Sequence, residues 1–262
     1  MRRILDLERF PLDRLDTKAG RRLIAGCKAQ LDHHGLFNLP GFVRSDTLAR
    51  CVEELKPAMD RASFIHRRKH NIYFKDDVPG IPPEHPALAK VETVNNTVCA
   101  DQIPDSLICR IYAWPPLARF LAAVMGKPRL YVMDDPLARV NVMAYRDGEA
   151  LNWHFDRSEF TTTLLLQAPD AGGTFQYRSD LRTVDDPNYE GVARLLRGED
   201  PEVKDLLLGA GTLNVFKGRN TAHRVTPVVG ERERMIAVFS YYERPGVNFT
   251  AEERIGFYGR AA

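Results

Sequence analysis

His154 and Asp156 stand two positions apart, and another histidine, His223, follows far downstream. In a β-strand, residues i and i+2 project from the same face, so the first two can share one ion where the chain is extended. The fold must then carry His223 to the same point. Two imidazoles and one carboxylate suit iron(II) and cover one face of it, leaving coordination positions open. Zinc could use the same three groups. The tripeptide alone arises by chance in many sequences, so its weight depends on what surrounds it.

The surrounding pattern changes character along the chain. Residues 17–34 carry Leu23, Ile24, Cys27 and Leu31 at helical spacing, with Gly35 as a stop. Leu36 to Val43 reads as a short strand interrupted by a Pro-Gly turn; a second helix starts at Ser45 or Asp46 and runs toward Met59. The proline-rich stretch 76–86 reads as loop, and 106–125 as two helices broken by Pro115-Pro116 and ended by Gly126. From Leu130 onward the period becomes strand-like. Runs rich in Val, Tyr, Thr and Phe fall at 129–133, 138–145, 152–156, 161–167, 173–177, 206–208, 212–216, 222–229 and 234–242. A polar segment at 178–205, with a helix near 189–196, interrupts them and is long enough to act as a lid. The expectation is an α+β fold in one domain, 1–262. A mainly helical part (1–128) packs on a jelly-roll core (129–245), followed by a tail (246–262).

Composition narrows the partners. Charged residues make up 27%, hydrophobics 44%, and the formal net charge is +2, which gives no reason to invoke nucleic acid or acidic membranes. The basic run Arg67-Arg68-Lys69 reads as a solvated or substrate-facing loop. Cys27, Cys51, Cys99 and Cys109 show no paired spacing, as expected of reduced thiols in a cytoplasmic protein. The first residues, Met1 to Arg9, carry charges where a signal peptide needs an apolar stretch, and no run reaches the length of a membrane span.

Downstream of the first two ligands come Gly211-Thr212-Leu213-Asn214-Val215-Phe216-Lys217-Gly218, then His223-Arg224-Val225-Thr226-Pro227-Val228, then Arg234 at the head of an apolar run. With these elements in order, Ala138 to Tyr242 resembles the iron(II)/2-oxoglutarate-dependent dioxygenases. That resemblance implies a distorted double-stranded β-helix, with His154, Asp156 and His223 as ligands to Fe(II) and Arg234 gripping the distal carboxylate of 2-oxoglutarate. A guanidinium suits that task, since it offers two parallel N–H donors to a carboxylate. It also implies O₂ as oxidant, release of succinate and CO₂, and ascorbate as a useful additive in vitro. Arg67 to Phe74, Ala100 to Pro104 and Gly256 to Arg260 look like the branch holding free-amino-acid radical halogenases and their hydroxylating relatives. Halogenases there have Gly or Ala at the position of Asp156, which frees a site for chloride. Asp156 therefore implies hydroxylation, with a free amino acid or close derivative as substrate.

Strand alternation nominates further residues. Asn152 and Ser158 would share the face of His154, with Trp153 and Phe155 facing away; Ile236, Val238, Ser240 and Tyr242 would follow Arg234 inward. Asn141, Met143 and Tyr145 would line the 2-oxoglutarate pocket. Arg157, Asn152, Arg67, His70 and Asn71 are candidates for the substrate side, with Glu159 at its rim. Other readings are a dioxygenase of carrier-tethered, peptidyl or alkaloid substrates, a desaturase or halogenase relative, and a metal-binding cupin-like sensor. A zinc hydrolase is disfavoured because no HExxH base motif occurs.

Overall fold

The computed structural model describes residues 1–75, 78 and 80–261. The α-helices among them are α1 (Lys18–His34), α2 (Ser45–Ala62), α3 (Leu107–Tyr112), α4 (Pro115–Met125), α5 (Tyr189–Leu196) and α6 (Ala251–Tyr258). Strands β1 (Leu36–Leu39), β2 (Phe64–His70), β3 (Val91–Cys99), β4 (Tyr131–Val132), β5 (Val140–Tyr145), β6 (Leu151–His154), β7 (Thr161–Gln167) and β8 (Ala171–Gly172) lie in the first two-thirds of the chain. There follow β9 (Phe175–Arg178), β10 (Lys204–Leu206), β11 (Leu213–Phe216), β12 (Ala222–Val225), β13 (Val228–Val229), β14 (Arg234–Phe239) and β15 (Tyr241–Tyr242).

Local chemistry sets the helix ends. The Thr17 side chain accepts from the backbone N–H of Gly20 to start α1, and Gly35 ends it at φ +76°, where glycine meets no Cβ penalty. The pair Pro115-Pro116 opens α4, where a missing N–H costs nothing, and Gly126 closes it at φ +67°. The loop expected over 76–86 falls partly outside the described residues.

A seven-stranded antiparallel sheet runs β1-β11-β7-β14-β5-β3-β2, and a four-stranded one runs β10-β9-β12-β6. Period-two alternation divides the large sheet's faces. Val140, Val142, Ala144, Leu164, Leu166, Met235, Ala237 and Phe239 face a core shared with α1 to α4. Their neighbours Asn141, Met143, Tyr145, Thr163, Ile236 and Val238 line a cavity of about 360 Å³. His154 and His223, from the small sheet, line the same cavity. This is the double-stranded β-helix, with the site between its sheets.

Residues 1–128 are less helical than expected. Strands β2 and β3 pair along seven positions, and β3 continues the large sheet through β5. Arg67-Arg68-Lys69 is therefore part of an edge strand, not a loop. The segment 178–205 is not a lid: none of its residues lines the cavity. Helix α5 instead buries Val192, Ala193 and Leu195 with Trp153 and Phe155; Trp153 lies away from the cavity as alternation required, while Phe155, expected to do the same, also reaches the cavity wall. All four cysteines are free thiols, and burial raises Cys27, Cys51 and Cys99 to about 12. Among the described residues no helix is long and apolar enough to cross a membrane.

Candidate metal centre

Pairing of β12 with β6 sets His223 directly opposite His154. Asp156 lies just past the end of β6, where its backbone N–H donates to the carbonyl of Gly218 (3.0 Å). One Asp156 oxygen is 3.5 Å from His154 Nε2 and the other 3.4 Å from His223 Nε2. One ligand atom from each of the three lies within 4.8 Å of the others, close enough to share an ion.

Each imidazole is oriented through its other nitrogen. His154 Nδ1 is 2.8 Å from the Asn152 carbonyl and His223 Nδ1 is 3.0 Å from that of Thr221. A carbonyl only accepts, so Nδ1 carries the proton and Nε2 keeps its lone pair for the metal. Burial and the neighbouring His223 push the His154 pKa down, against the opposing pull of Asp156, which favours the neutral ring. Burial works to raise Asp156, but His223 and His154 outweigh it and hold its carboxyl well below the usual carboxylate range. Both directions favour the forms that bind metal.

Thr161, opening β7, donates its hydroxyl to Asp156 Oδ2 at 2.5 Å. Gly218 allows this packing: a Cβ there would sit 2.4 Å from Asp156 Oδ2 and 2.6 Å from Thr161 Oγ1. Gly218→Ala must therefore displace the carboxylate. The expected result is a loss of roughly 10- to 100-fold in iron(II) affinity, the range for disturbing a ligand's supports. Titration of the purified protein with iron(II) measures it, and an unchanged affinity contradicts this account of Gly218.

Arg234 opens β14 opposite Tyr145 and is only 2% exposed. Its Nε donates to the Gly173 carbonyl (3.1 Å), while Nη1 has no partner. Glu233, a possible counter-ion in sequence, turns to Arg146 instead (2.8 Å). Burial lowers the Arg234 pKa to about 10, opposed by Tyr145, whose ring centre lies 5.9 Å from the guanidinium carbon. A buried, unpaired guanidinium in a cavity wall is costly unless an anion joins it. The carboxylate of 2-oxoglutarate fits that position. Tyr145 is 1% exposed, and its hydroxyl's hydrogen-bond partner among the described residues is Met143 Sδ at 3.7 Å.

The remaining predicted residues divide. Ser158, Ile236, Val238 and Ser240 line the cavity as alternation required, and the substrate-side candidates Arg157 and His70 line it too. Asn141 lines it too, but its amide is committed to the Leu137 carbonyl and the Tyr258 hydroxyl. Asn152 does not: its side chain donates to the Glu92 carbonyl, and its contribution is the carbonyl that holds His154. Arg67 points out of the cavity and pairs with Glu92 at 2.6 Å, since alternation gives the inner face of β2 to His66, Arg68 and His70. Asn71 is buried and caps the turn after β2, donating to the Lys75 carbonyl and accepting from the N–H groups of Tyr73 and Lys75. Glu159 pairs with Lys127, and Tyr242 pairs with Tyr131 away from the cavity.

Sequence reading gave no individual role in the site to Thr161, Gly218 or Arg68, nor to the aromatic residues Phe249, Phe257 and Tyr258, which bring the C-terminal segment onto the cavity. Buried Asp135 anchors that segment, accepting from the Phe249 N–H and from Arg254. The paired aromatics Phe257-Tyr258 were the available signal.

Solved structures with this fold include a 2OG-Fe(II) oxygenase family oxidoreductase from Burkholderia pseudomallei. It has 16% identity and TM-score 0.54, with 86% of this chain and 93% of that one covered. A Pseudomonas putida prolyl-4-hydroxylase is 15% identical at TM-score 0.51, covering 82% and 97%. HygX from Streptomyces hygroscopicus, with nickel, 2-oxoglutarate and hygromycin B bound, is 14% identical at TM-score 0.55, covering 82% and 86%. No curated protein matches the sequence. The model of the halogenase D family matches residues 21–253, and the chain accordingly belongs to that family, within the iron(II)/2-oxoglutarate oxygenases.

Proposed function

We propose that this chain is an iron(II)- and 2-oxoglutarate-dependent hydroxylase of a small molecule, a free amino acid or a close derivative. The observation that carries the reading is Asp156, whose two oxygens lie 3.5 and 3.4 Å from the two histidine Nε2 atoms. A halogenase needs a coordination position open at that place, and here a carboxylate fills it. The structure of HygX holds metal and 2-oxoglutarate together, which supports the same pairing in this fold.

His154 and His223 would hold the iron as neutral ligands and Asp156 as its one anionic ligand. Arg234 would bind the distal carboxylate of 2-oxoglutarate, with Tyr145 beside it. When bound, iron(II) with 2-oxoglutarate and O₂ supplies an oxidant able to break an unactivated C–H bond, and 2-oxoglutarate leaves as succinate and CO₂. The chain then decides which C–H bond is presented. Ile236 and Val238, which follow Arg234 on the inner face of β14, give that bond an apolar stretch of cavity wall. A purely metal-binding sensor would have no use for an unpaired buried guanidinium, which disfavours that alternative.

Two measurements test this. With a divalent metal present, 2-oxoglutarate at about 100 times its Kd stabilises the fold by about 2.7 kcal/mol. For a chain of this length that raises Tm by roughly 5–10 °C. The second is mass spectrometry of an amino-acid panel incubated with protein, iron(II), 2-oxoglutarate, ascorbate and air. A gain of one oxygen together with succinate is expected. A loss of two hydrogens would redirect the reading to desaturation, and absence of succinate across the panel would overturn it.

A further inference from the structure

The cavity wall is one-sided in charge. Arg68, Arg157 and Arg234 line it, with His66 and His70 beside Arg68, while Asp156 is the sole acidic residue among the described lining residues. Asp156 is already engaged by two imidazoles and the Thr161 hydroxyl. A ligand of net positive charge meets, among the described lining residues, no carboxylate free to receive its surplus cation, and desolvating an unpaired ammonium is costly, whereas an α-ammonium travels with its own carboxylate.

Two of the three guanidiniums have no ion-pair partner among the described residues. Arg234 is one, at the buried end. Arg68 is the other, at the exposed end of the cavity, where among the described residues no carboxylate reaches it and its guanidinium carbon lies 5.3 Å from the Phe74 ring centre. The contrast with its neighbour is informative. Arg67 projects outward from the same strand and is neutralised by Glu92, so among the described residues the acid that serves β2 lies on its outer side. Arg157 is partly engaged, donating through Nη1 to Glu253 at 2.8 Å with its guanidinium over the Phe257 ring. Charged groups left unpaired at a cavity mouth attract ligands of opposite sign and hold them there.

We propose that the substrate is a small carboxylate of net negative charge, an amino acid with an acidic side chain being the match among free amino acids, and that Arg68 is its anion grip at the cavity mouth. The proposal rests on the hydroxylase reading for the identity of the site, but binding and turnover separate the two. One of the substrate's carboxylates meets Arg68 above the ring of Phe74, and the other lies toward Arg157. Arg234 is reserved for the co-substrate. Basic amino acids are excluded by charge, not by size: glutamate and glutamine are nearly isosteric, and the cavity should tell them apart.

The test uses the full chain loaded with iron(II) and 2-oxoglutarate under argon, titrated calorimetrically with L-glutamate, L-aspartate, L-glutamine and L-lysine. An acidic member is expected to bind at least tenfold more tightly than glutamine, and lysine not measurably. Arg68→Gln should weaken the acidic ligand about 100-fold while the absorption band of the iron–2-oxoglutarate complex keeps its 2-oxoglutarate dependence. Arg67→Gln, on the outer side of the same strand, should change neither. Binding of lysine or glutamine as tight as that of the acids overturns the proposal, as does failure of both acids to bind or an unaltered affinity in Arg68→Gln. Admitting air then tests the other reading separately: tight binding of an acid without succinate leaves the anion site standing and removes the hydroxylase.

Discussion

Asp156→Gly is expected to lower hydroxylation by more than about 100-fold, beyond the ~10- to 100-fold range for losing a group that merely supports a ligand. Asp156 is the only anionic member of the triad, and it bridges the two histidines through separate oxygens. Its removal leaves two neutral imidazoles and a freed Thr161 hydroxyl. The fold should survive, because the contact that places this residue is a backbone hydrogen bond to Gly218, and glycine retains it. Asp156→Asn completes the argument: it keeps the volume and removes the charge. Iron content, succinate formation and product mass are measured for both variants beside a melting curve. Full turnover by Asp156→Gly would show that this side chain is not a ligand.

The convergence of His154, Asp156 and His223 was legible because it is written in residue types and in one spacing. His154 and Asp156 need only an extended chain to converge, and His223 needs only a neighbouring antiparallel strand. The run Leu151-Asn152-Trp153-His154 alternates apolar and polar residues, so the face carrying His154 could be told from the other. Strands β2 and β3 were not legible for a reason that concerns function. Their inner faces carry His66, Arg68, His70, Thr93, Asn95 and Thr97, polar groups that line a cavity instead of filling a core. A strand with a polar inner face has no hydrophobic period of two to detect. The same blindness led to the choice of Arg67 over Arg68, since facing cannot be assigned until the strand is known. Asn71 was misjudged for a different reason: asparagine serves turns as readily as ligands, and here both ends of its amide are consumed by the turn after β2. The segment 178–205 looked like a lid because it is polar and long. Its helix nevertheless has an apolar stripe, and Trp153 and Phe155 supply the surface that stripe buries.

Arg234→Met should separate stability from function. The guanidinium is 2% exposed, has one hydrogen bond to a carbonyl and leaves Nη1 unsatisfied, so the protein without ligands carries an uncompensated buried charge. Replacing even a buried ion pair with apolar side chains of similar volume is often neutral or stabilising by about 1–4 kcal/mol, and an unpaired charge has less attraction to lose. The variant should therefore melt no lower than the native protein when both lack 2-oxoglutarate, and up to several degrees higher. Co-substrate binding should move the opposite way. Truncating one partner of a buried, hydrogen-bonded charge pair costs about 2–5 kcal/mol. That corresponds to a rise of roughly 30- to 5,000-fold in KM for 2-oxoglutarate. Arg234→Lys restores the charge but not the two parallel donors and should fall between the two. Iron binding should be unchanged, because Arg234 is not among the three ligands. If Arg234→Met both lost stability and kept its affinity for 2-oxoglutarate, the guanidinium would be a structural strut. Higher stability with lost affinity instead identifies the strain of an unpaired charge that the co-substrate relieves.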